Sequence, residues 1–427
     1  MVDGAFGKFL RTYWYEQGIE YGNPFYNSRF RVNSPEASIH PEFMYRSEAR
    51  ENGMMQILIN EDLHQLDGAK LYLETWGGHP GTANKRVTIN GRSLYLLPEV
   101  GTADDNCTHS YPIIPLKITD LVNGYNAIQF ACDQGTSFWG HFIVDNACLM
   151  TVLKENHPDL EKAGITGFHA SVKADLPYDN GEHFNISLSC SPSVMDAISE
   201  VDFWGYYFGY DENGNYKMTD WHGFTKEKHP TGIIGTSNQA PFEVLWDVAM
   251  LPEQKDIAVM AVVHFKEQEN ISYLTPAISG LQIFKREDCN VKIYDSKDLP
   301  KPFWSRANQK KNCTIELDIQ PYQIERAELH VVLWDGGSGN VNSPFILNGH
   351  PLSVTGEGRH DVIYRKVAID PEWLRVRNEI SLLSDTEHHG IEVLLPCPML
   401  TIRSKEISSE ILTVNAKVII NTVCEVL

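Results

Sequence analysis

The chain is short of positive charge: 36 Lys and Arg stand against 56 Asp and Glu, leaving a formal net charge of −20 over 427 residues. Neutralising a nucleic-acid backbone requires a basic face, so no nucleic-acid partner is expected. No run approaches the roughly 18 consecutive apolar residues of a membrane-crossing helix, and no membrane association is expected. Lys8, Arg11 and Glu16 stand among Tyr13, Trp14 and Tyr15 where a secretion signal would carry its apolar core, so the chain as it stands is expected to lack one.

Other absences narrow the chemistry. None of the eight cysteines forms a CxxC pair, which argues against a zinc ribbon or a thioredoxin-type motif, although their even number permits disulfides. The sixteen histidines include His388-His389, His79 with His109, and His222 with His229. None has the i, i+4 spacing on a helix or the HxH spacing on a strand that aims two imidazoles at one ion, so no metal and no cofactor are expected. A serine nucleophile elbow is missing, and so is a phosphate-cradling glycine loop. Gly336-Gly337-Ser338-Gly339 follows a strand without the Lys-Ser/Thr and helix of such a loop.

What is present is a repeat. Ala69-Lys70-Leu71-Tyr72-Leu73-Glu74-Thr75-Trp76-Gly77-Gly78, then Asn90-Gly91-Arg92, is echoed by Ala327-Glu328-Leu329-His330-Val331-Val332-Leu333-Trp334-Asp335-Gly336-Gly337, then Asn348-Gly349-His350. The echo continues through Asn126-Ala127-Ile128 against Asn378-Glu379-Ile380 and closes with Leu149-Met150-Thr151-Val152 against Met399-Leu400-Thr401-Ile402. One alternating strand, one turn and one closing strand built twice imply a duplicated β-domain.

The expected fold is all-β, two jelly-roll β-sandwiches flanking an Ig-like β-sandwich. Residues 1–40 form an aromatic-rich arm, and 41–155 a first sandwich of short alternating runs parted by Gly77-Gly78, Asn90-Gly91 and Asn123-Gly124. Residues 164–288 form the Ig-like unit, in which Phe242, Val244 and Trp246 share one face and turn Trp246 into the core. Residues 289–405 form the second jelly roll, and 406–427 a tail or terminal strand.

The outer regions resemble galactose-binding-like jelly-roll modules found beside glycoside hydrolases. The resemblance rests on a strand ending in Trp-Gly-Gly, the hairpin Val87-Thr88-Ile89-Asn90-Gly91-Arg92, and Leu121-Val122-Asn123-Gly124-Tyr125-Asn126-Ala127-Ile128. The middle region is more loosely similar to Ig-like spacers of multidomain carbohydrate-active proteins. It implies a fold and a glycan or other small-molecule ligand, and it carries over no catalytic motif.

Site candidates are aromatic. Trp139-Gly140-His141 with Asp145 offers an indole face beside polar groups that suit a sugar, or else core packing. Phe203 to Tyr210 holds six aromatics, alternation placing Trp204, Tyr206, Phe208 and Tyr210 on one face and Phe203 and Tyr207 on the other. Such a strand is buried between domains or lines a pocket. Asp220-Trp221-His222 adds an acid, an indole and an imidazole. The expected site lies where the first two sandwiches meet, with Trp139, Trp204, Tyr206, Trp221 and Asp145 binding ligand and His141, His222 and Asp220 supplying acid-base chemistry. Asp211, Glu212, Asp247 and Asp335 are further candidates for the paired carboxylates of glycoside hydrolysis.

Three functions fit these residues: recognition and processing of a carbohydrate; a fungal secondary-metabolism enzyme steering dehydration or cycloaddition of a polyene or quinone methide, in the manner of a hetero-Diels-Alderase; and an adhesion or scaffold module. Sequons at Asn106, Asn185, Asn270 and Asn312, with the even cysteine count, favour the secretory pathway over the cytoplasm.

Overall fold

The structure, a computed structural model, describes residues 7–15, 30–34, 54–77, 82–97, 107, 109–133, 141–175, 181–209, 218–222, 233–266, 268–354, 358, 361–387 and 389–406. Within them the protein is all-β. The segment Ile411 to Ile420, the candidate terminal strand, lies outside the described residues.

The first sandwich contains β1 (Lys8–Trp14), β2 (Phe30–Asn33), β3 (Met54–Ile59), β4 (Leu66–Trp76), β5 (Ala83–Ile89), β6 (Ser93–Leu96), β7 (His109–Ser110), β8 (Ile113–Leu116), β9 (Gly124–Asp133) and β10 (His141–Leu153). One layer is ordered β3-β9-β5-β6; in the other, β4 and β10 pair antiparallel, β7 and β8 flank β4, and β1 and β2 pair with successive halves of β10. Alternation decides which side chains enter the core: β3 buries Met55, Ile57 and Ile59 and exposes Met54 and Leu58.

A short helix, α1 (Pro158–Lys162), leads to the second sandwich: β11 (Ala170–Ala174), β12 (His183–Cys190), β13 (Ile198–Gly209), β14 (Met218–His222), β15 (Ile233–Ser237), β16 (Glu243–Asp247), β17 (Gln254–Phe265), β18 (Gln268–Leu274) and β19 (Ile278–Ile283). A layer ordered β11-β12-β16 faces one ordered β14-β13-β17-β18. Trp246 is buried between Phe184, ring centroids 5.6 Å apart, and Tyr207 at 5.2 Å, as the alternation of Phe242, Val244 and Trp246 predicts.

The N-terminal strand β1 joins these two sandwiches. On one edge it pairs with β10 (Tyr13 opposite Leu149), on the other with β18 (Phe9 opposite Tyr273), so one 12-stranded sheet serves both. Following the ladders, Leu71, Leu149, Tyr13, Phe9, Tyr273, Val263 and Val201 share the face that supplies both cores. The opposite, outer face carries Tyr72, Cys148, Met150, Leu10, Leu274, Val262 and Trp204, which form an apolar cluster of their own.

The third sandwich contains β20 (Cys289–Lys297), β21 (Trp304–Ser305), β22 (Lys311–Glu316), β23 (Ile324–Gly336), β24 (Phe345–Leu347), β25 (His350–Leu352), β26 (Asp361–Ile369), β27 (Arg377–Leu382) and β28 (Gly390–Lys405). Its layers run β26-β23-β28-β20 and β25-β24-β27-β22, joined where the end of β20 pairs with β22. It is packed against one end of the shared sheet: Trp76 and Cys107 enter its core, and Ile143 and Phe208 pack on it. Leu395 N–H donates to the Cys107 carbonyl at 2.9 Å, and Arg403 reaches Glu182 of the second sandwich at 2.5 Å.

The two halves of the sequence repeat occupy matching places. Trp76 closes β4 opposite Ile143 of β10, and Trp334 lies near the end of β23 opposite Glu392 of β28. Asn90 and Asn348 both turn at φ 50°. Each donates through Nδ2 to the next repeated asparagine, Asn126 at 2.9 Å and Asn378 at 2.8 Å. The closing strands differ by one residue from the sequence echo, because Leu71 faces Leu149 while its counterpart Leu329 faces Leu400. The two ladders also carry their bulges at different points, and residue identity alone does not reveal a bulge.

All seven described cysteines are free thiols, so the described sandwiches are held by packing and not by cross-links between them.

A candidate functional site on the outer face of the shared sheet

On β4, alternation turns Tyr72, Glu74 and Trp76 to the outer face. A bulge between Val144 and Asn146 in β10 sets Asn146 directly across from Glu74 and leaves Asp145 unpaired in the ladder. Glu74, only 6 % exposed, accepts the Tyr72 hydroxyl at 2.9 Å on one oxygen and the Asn146 amide at 2.5 Å on the other. Burial, with the Glu74 charge beside it, pushes the Tyr72 phenol well above its usual range, so it stays protonated and donates.

Aromatic rings surround this cluster. Tyr72 lies parallel to Tyr111 with centroids 6.5 Å apart and meets Trp14 of β1 edge-on at 5.9 Å. His109 abuts Tyr111 at 4.9 Å, and its Nε2 lies 3.8 Å from Asp145. Trp14 and Tyr111 are half-buried, whereas Tyr72, Glu74, His109, Asp145 and Asn146 are buried. Carboxylate, amide, phenol and imidazole groups beside apolar ring faces can order hydroxyls or move a proton.

Of the residues singled out from sequence, His141, Trp204 and Tyr206 lie on this face. Trp139 lies outside the described residues, as do Asp211 and Glu212. His141 is buried with its ring 5.1 Å from Trp76, and its backbone exchanges hydrogen bonds with the Thr82 hydroxyl. Trp204 is buried in the apolar cluster beside Met260 and Val262, and Tyr206 is half-buried. The β14 backbone places Asp220, Trp221 and His222 opposite Tyr207, Tyr206 and Gly205; their side chains are outside the described set. Of the other acids, Asp247 is exposed and Asp335 buried in the third sandwich.

The aromatic run of β13 is buried on both sides: Phe203 and Tyr207 enter the second core, and Trp204 and Phe208 pack on the outer face. Four strand spacings separate β13 from β10, roughly 19 Å at the usual interval. Asp145 therefore belongs with Glu74, while Trp204 and Tyr206 stand farther along the same face. Sequence reasoning passed over Glu74, although a lone carboxylate inside the apolar run Leu71 to Trp76 is a signal in itself.

Two further features stand apart from this cluster. Glu200 and Asp202 of β13 and His264 of β17 bring one ligating atom each within 4.8 Å of the others. Histidine spacing could not show this set, because 62 residues separate Asp202 from His264. A cleft of about 530 Å³ opens at the seam of the first two sandwiches, lined by Lys8, Asp67, Lys70, Glu155, His169 and Tyr273 among others.

No family model matches the chain, and no curated protein matches it. Among solved structures it is similar to a GH86 protein, BuGH86, in complex with neoagarooctaose (9 % identity over 62 % of this chain and 36 % of that one, TM-score 0.26). It is also similar to BpGH86A, a β-porphyranase of glycoside hydrolase family 86 from the human gut bacterium Bacteroides plebeius (14 % identity, 56 % and 37 % covered, TM-score 0.25). An exo-β-1,3-galactanase from Phanerochaete chrysosporium with galactose matches at 9 % identity, 75 % and 68 % covered, TM-score 0.16. The chain spans little more than a third of the two glycoside hydrolase family 86 structures. At such scores these likenesses carry no weight for function.

Proposed function

We propose that the protein recognises a carbohydrate or similarly hydroxylated small molecule on the outer face of the shared sheet, beside Trp14 and Tyr111. The observation that carries this reading is the Glu74 carboxylate, buried yet held by Tyr72 and Asn146 against a wall of rings. Burying a carboxylate in an apolar strand is costly, and a purely structural position would be filled more cheaply by an apolar residue. Sugar recognition needs this combination: an acceptor and an amide for hydroxyls, and ring faces for the C–H surface. Processing of the glycan would use Glu74 and Asp145, from paired strands, as acid and base.

The test is a glycan array probed with the wild type and with Glu74→Gln, which keeps the shape and one acceptor oxygen while removing the charge and the second acceptor. Binding by the wild type and a loss of about tenfold or more in the variant, with the fold intact by circular dichroism, is the expected result. An array on which the wild type binds nothing would defeat the proposal.

A second reading has one observation in its favour. Met150, Met260, Val262 and Leu274 form an apolar stripe beside Trp204, suited to a polyene or quinone methide. A panel of such compounds beside the array separates the two, and silence in both leaves an adhesion or scaffold role.

A further inference from the structure

Glu200 and Asp202 alternate onto the outer face of β13, and antiparallel pairing sets His264 of β17 directly opposite Glu200. Asp202, 4 % exposed, is held from two sides: Thr236 Oγ1 donates to its Oδ1 at 2.6 Å, and His264 Nε2 lies 2.9 Å from its Oδ2. Glu200 is half-buried and the His264 side chain is 30 % exposed, so solvent reaches the trio from one side. Two carboxylates and an imidazole thus converge at one place on this face.

We propose that Glu200, Asp202 and His264 form a binding site for a first-row divalent cation of the zinc type, an inference independent of the carbohydrate reading. Imidazole nitrogen and carboxylate oxygen are both donor types that zinc accepts, and a site with three protein ligands leaves a fourth position open to water or a ligand. Ligand atoms about 2.0 to 2.2 Å from a central ion stand roughly 3.3 Å apart in a tetrahedral arrangement. The three ligand atoms already lie within 4.8 Å of one another on two paired strands. Thr236 fixes the Asp202 carboxylate from behind, as a partner outside the ligand shell does. Calcium, which prefers six to eight oxygens, suits the set poorly.

The test uses tag-free, full-length protein stripped with chelator and titrated with Zn²⁺ by calorimetry and with Co²⁺ by visible absorption. One ion per chain is expected, with cobalt d–d bands that His264→Ala abolishes while lowering zinc affinity about 100-fold or more; Thr236→Val lowers it about tenfold. His264 and Glu200 are partly exposed, so His264→Ala and Glu200→Gln are expected to fold, and unchanged circular dichroism verifies it. Absence of stoichiometric Zn²⁺ or Co²⁺ uptake by the wild type, or wild-type uptake by folded His264→Ala, would overturn the site.

Discussion

Arg11 and Glu61 meet at 3.0 Å with side chains 6 % and 0 % exposed, tying the N-terminal strand to the loop after β3. Glu61 also accepts the hydroxyls of Tyr13 and Thr151, each at 2.9 Å, and Arg11 reaches on to Asp159 of α1 at 2.7 Å. The network lies on the seam that β1 makes continuous. Removing Arg11 leaves the buried Glu61 carboxylate without its guanidinium, which is why the network tolerates single changes poorly.

Arg11→Met is therefore expected to cost about 3 to 5 kcal/mol in urea denaturation, and the double variant Arg11→Met, Glu61→Leu markedly less. A single variant as stable as the wild type would show that the Arg11–Glu61 pair adds nothing net to the seam.

Asn348→Ala is expected to cost about 2 to 4 kcal/mol. It removes the bonds to Trp373 O and Asn378 Oδ1 and forces an alanine to φ 50°. Asn348→Gly relieves only the backbone part, so its loss is smaller. The corresponding changes at Asn90 follow the same order. Equal losses for Ala and Gly would place the whole effect in the side-chain bonds.

The third sandwich is expected to weaken on acidification. His330 is buried between the Tyr364 hydroxyl at 2.6 Å and the Thr401 hydroxyl at 3.0 Å, and burial, with Lys366 nearby, lowers its pKa from 6.5 to about 3. The unfolded chain takes up this proton first. Stability is thus whole above pH 6.5 and falls as pH drops toward 3, by about 3 kcal/mol on reaching pH 4.5. His330→Gln flattens that slope; a variant with the wild-type slope would assign the acid sensitivity to other groups.

The all-β class, the duplication and the inward turn of Trp246 were legible in sequence, because they depend on period-two alternation and on Asn-Gly turns, both local properties. The candidate site was legible only in fragments. His141, Asp145, Trp204 and Tyr206 stand out as residue types, but nothing local tells that a bulge moves Asn146 across from Glu74. Nor does it tell that β1 inserts between β10 and β18, or that His264 lies opposite Glu200. Those are matters of register and strand order, decided by the burial of whole faces against one another, and a one-residue change in register sends every side chain of a strand to the other face. Alternation along the chain thus determined which residues could share a face, and only the assembled sheet decided which of them meet.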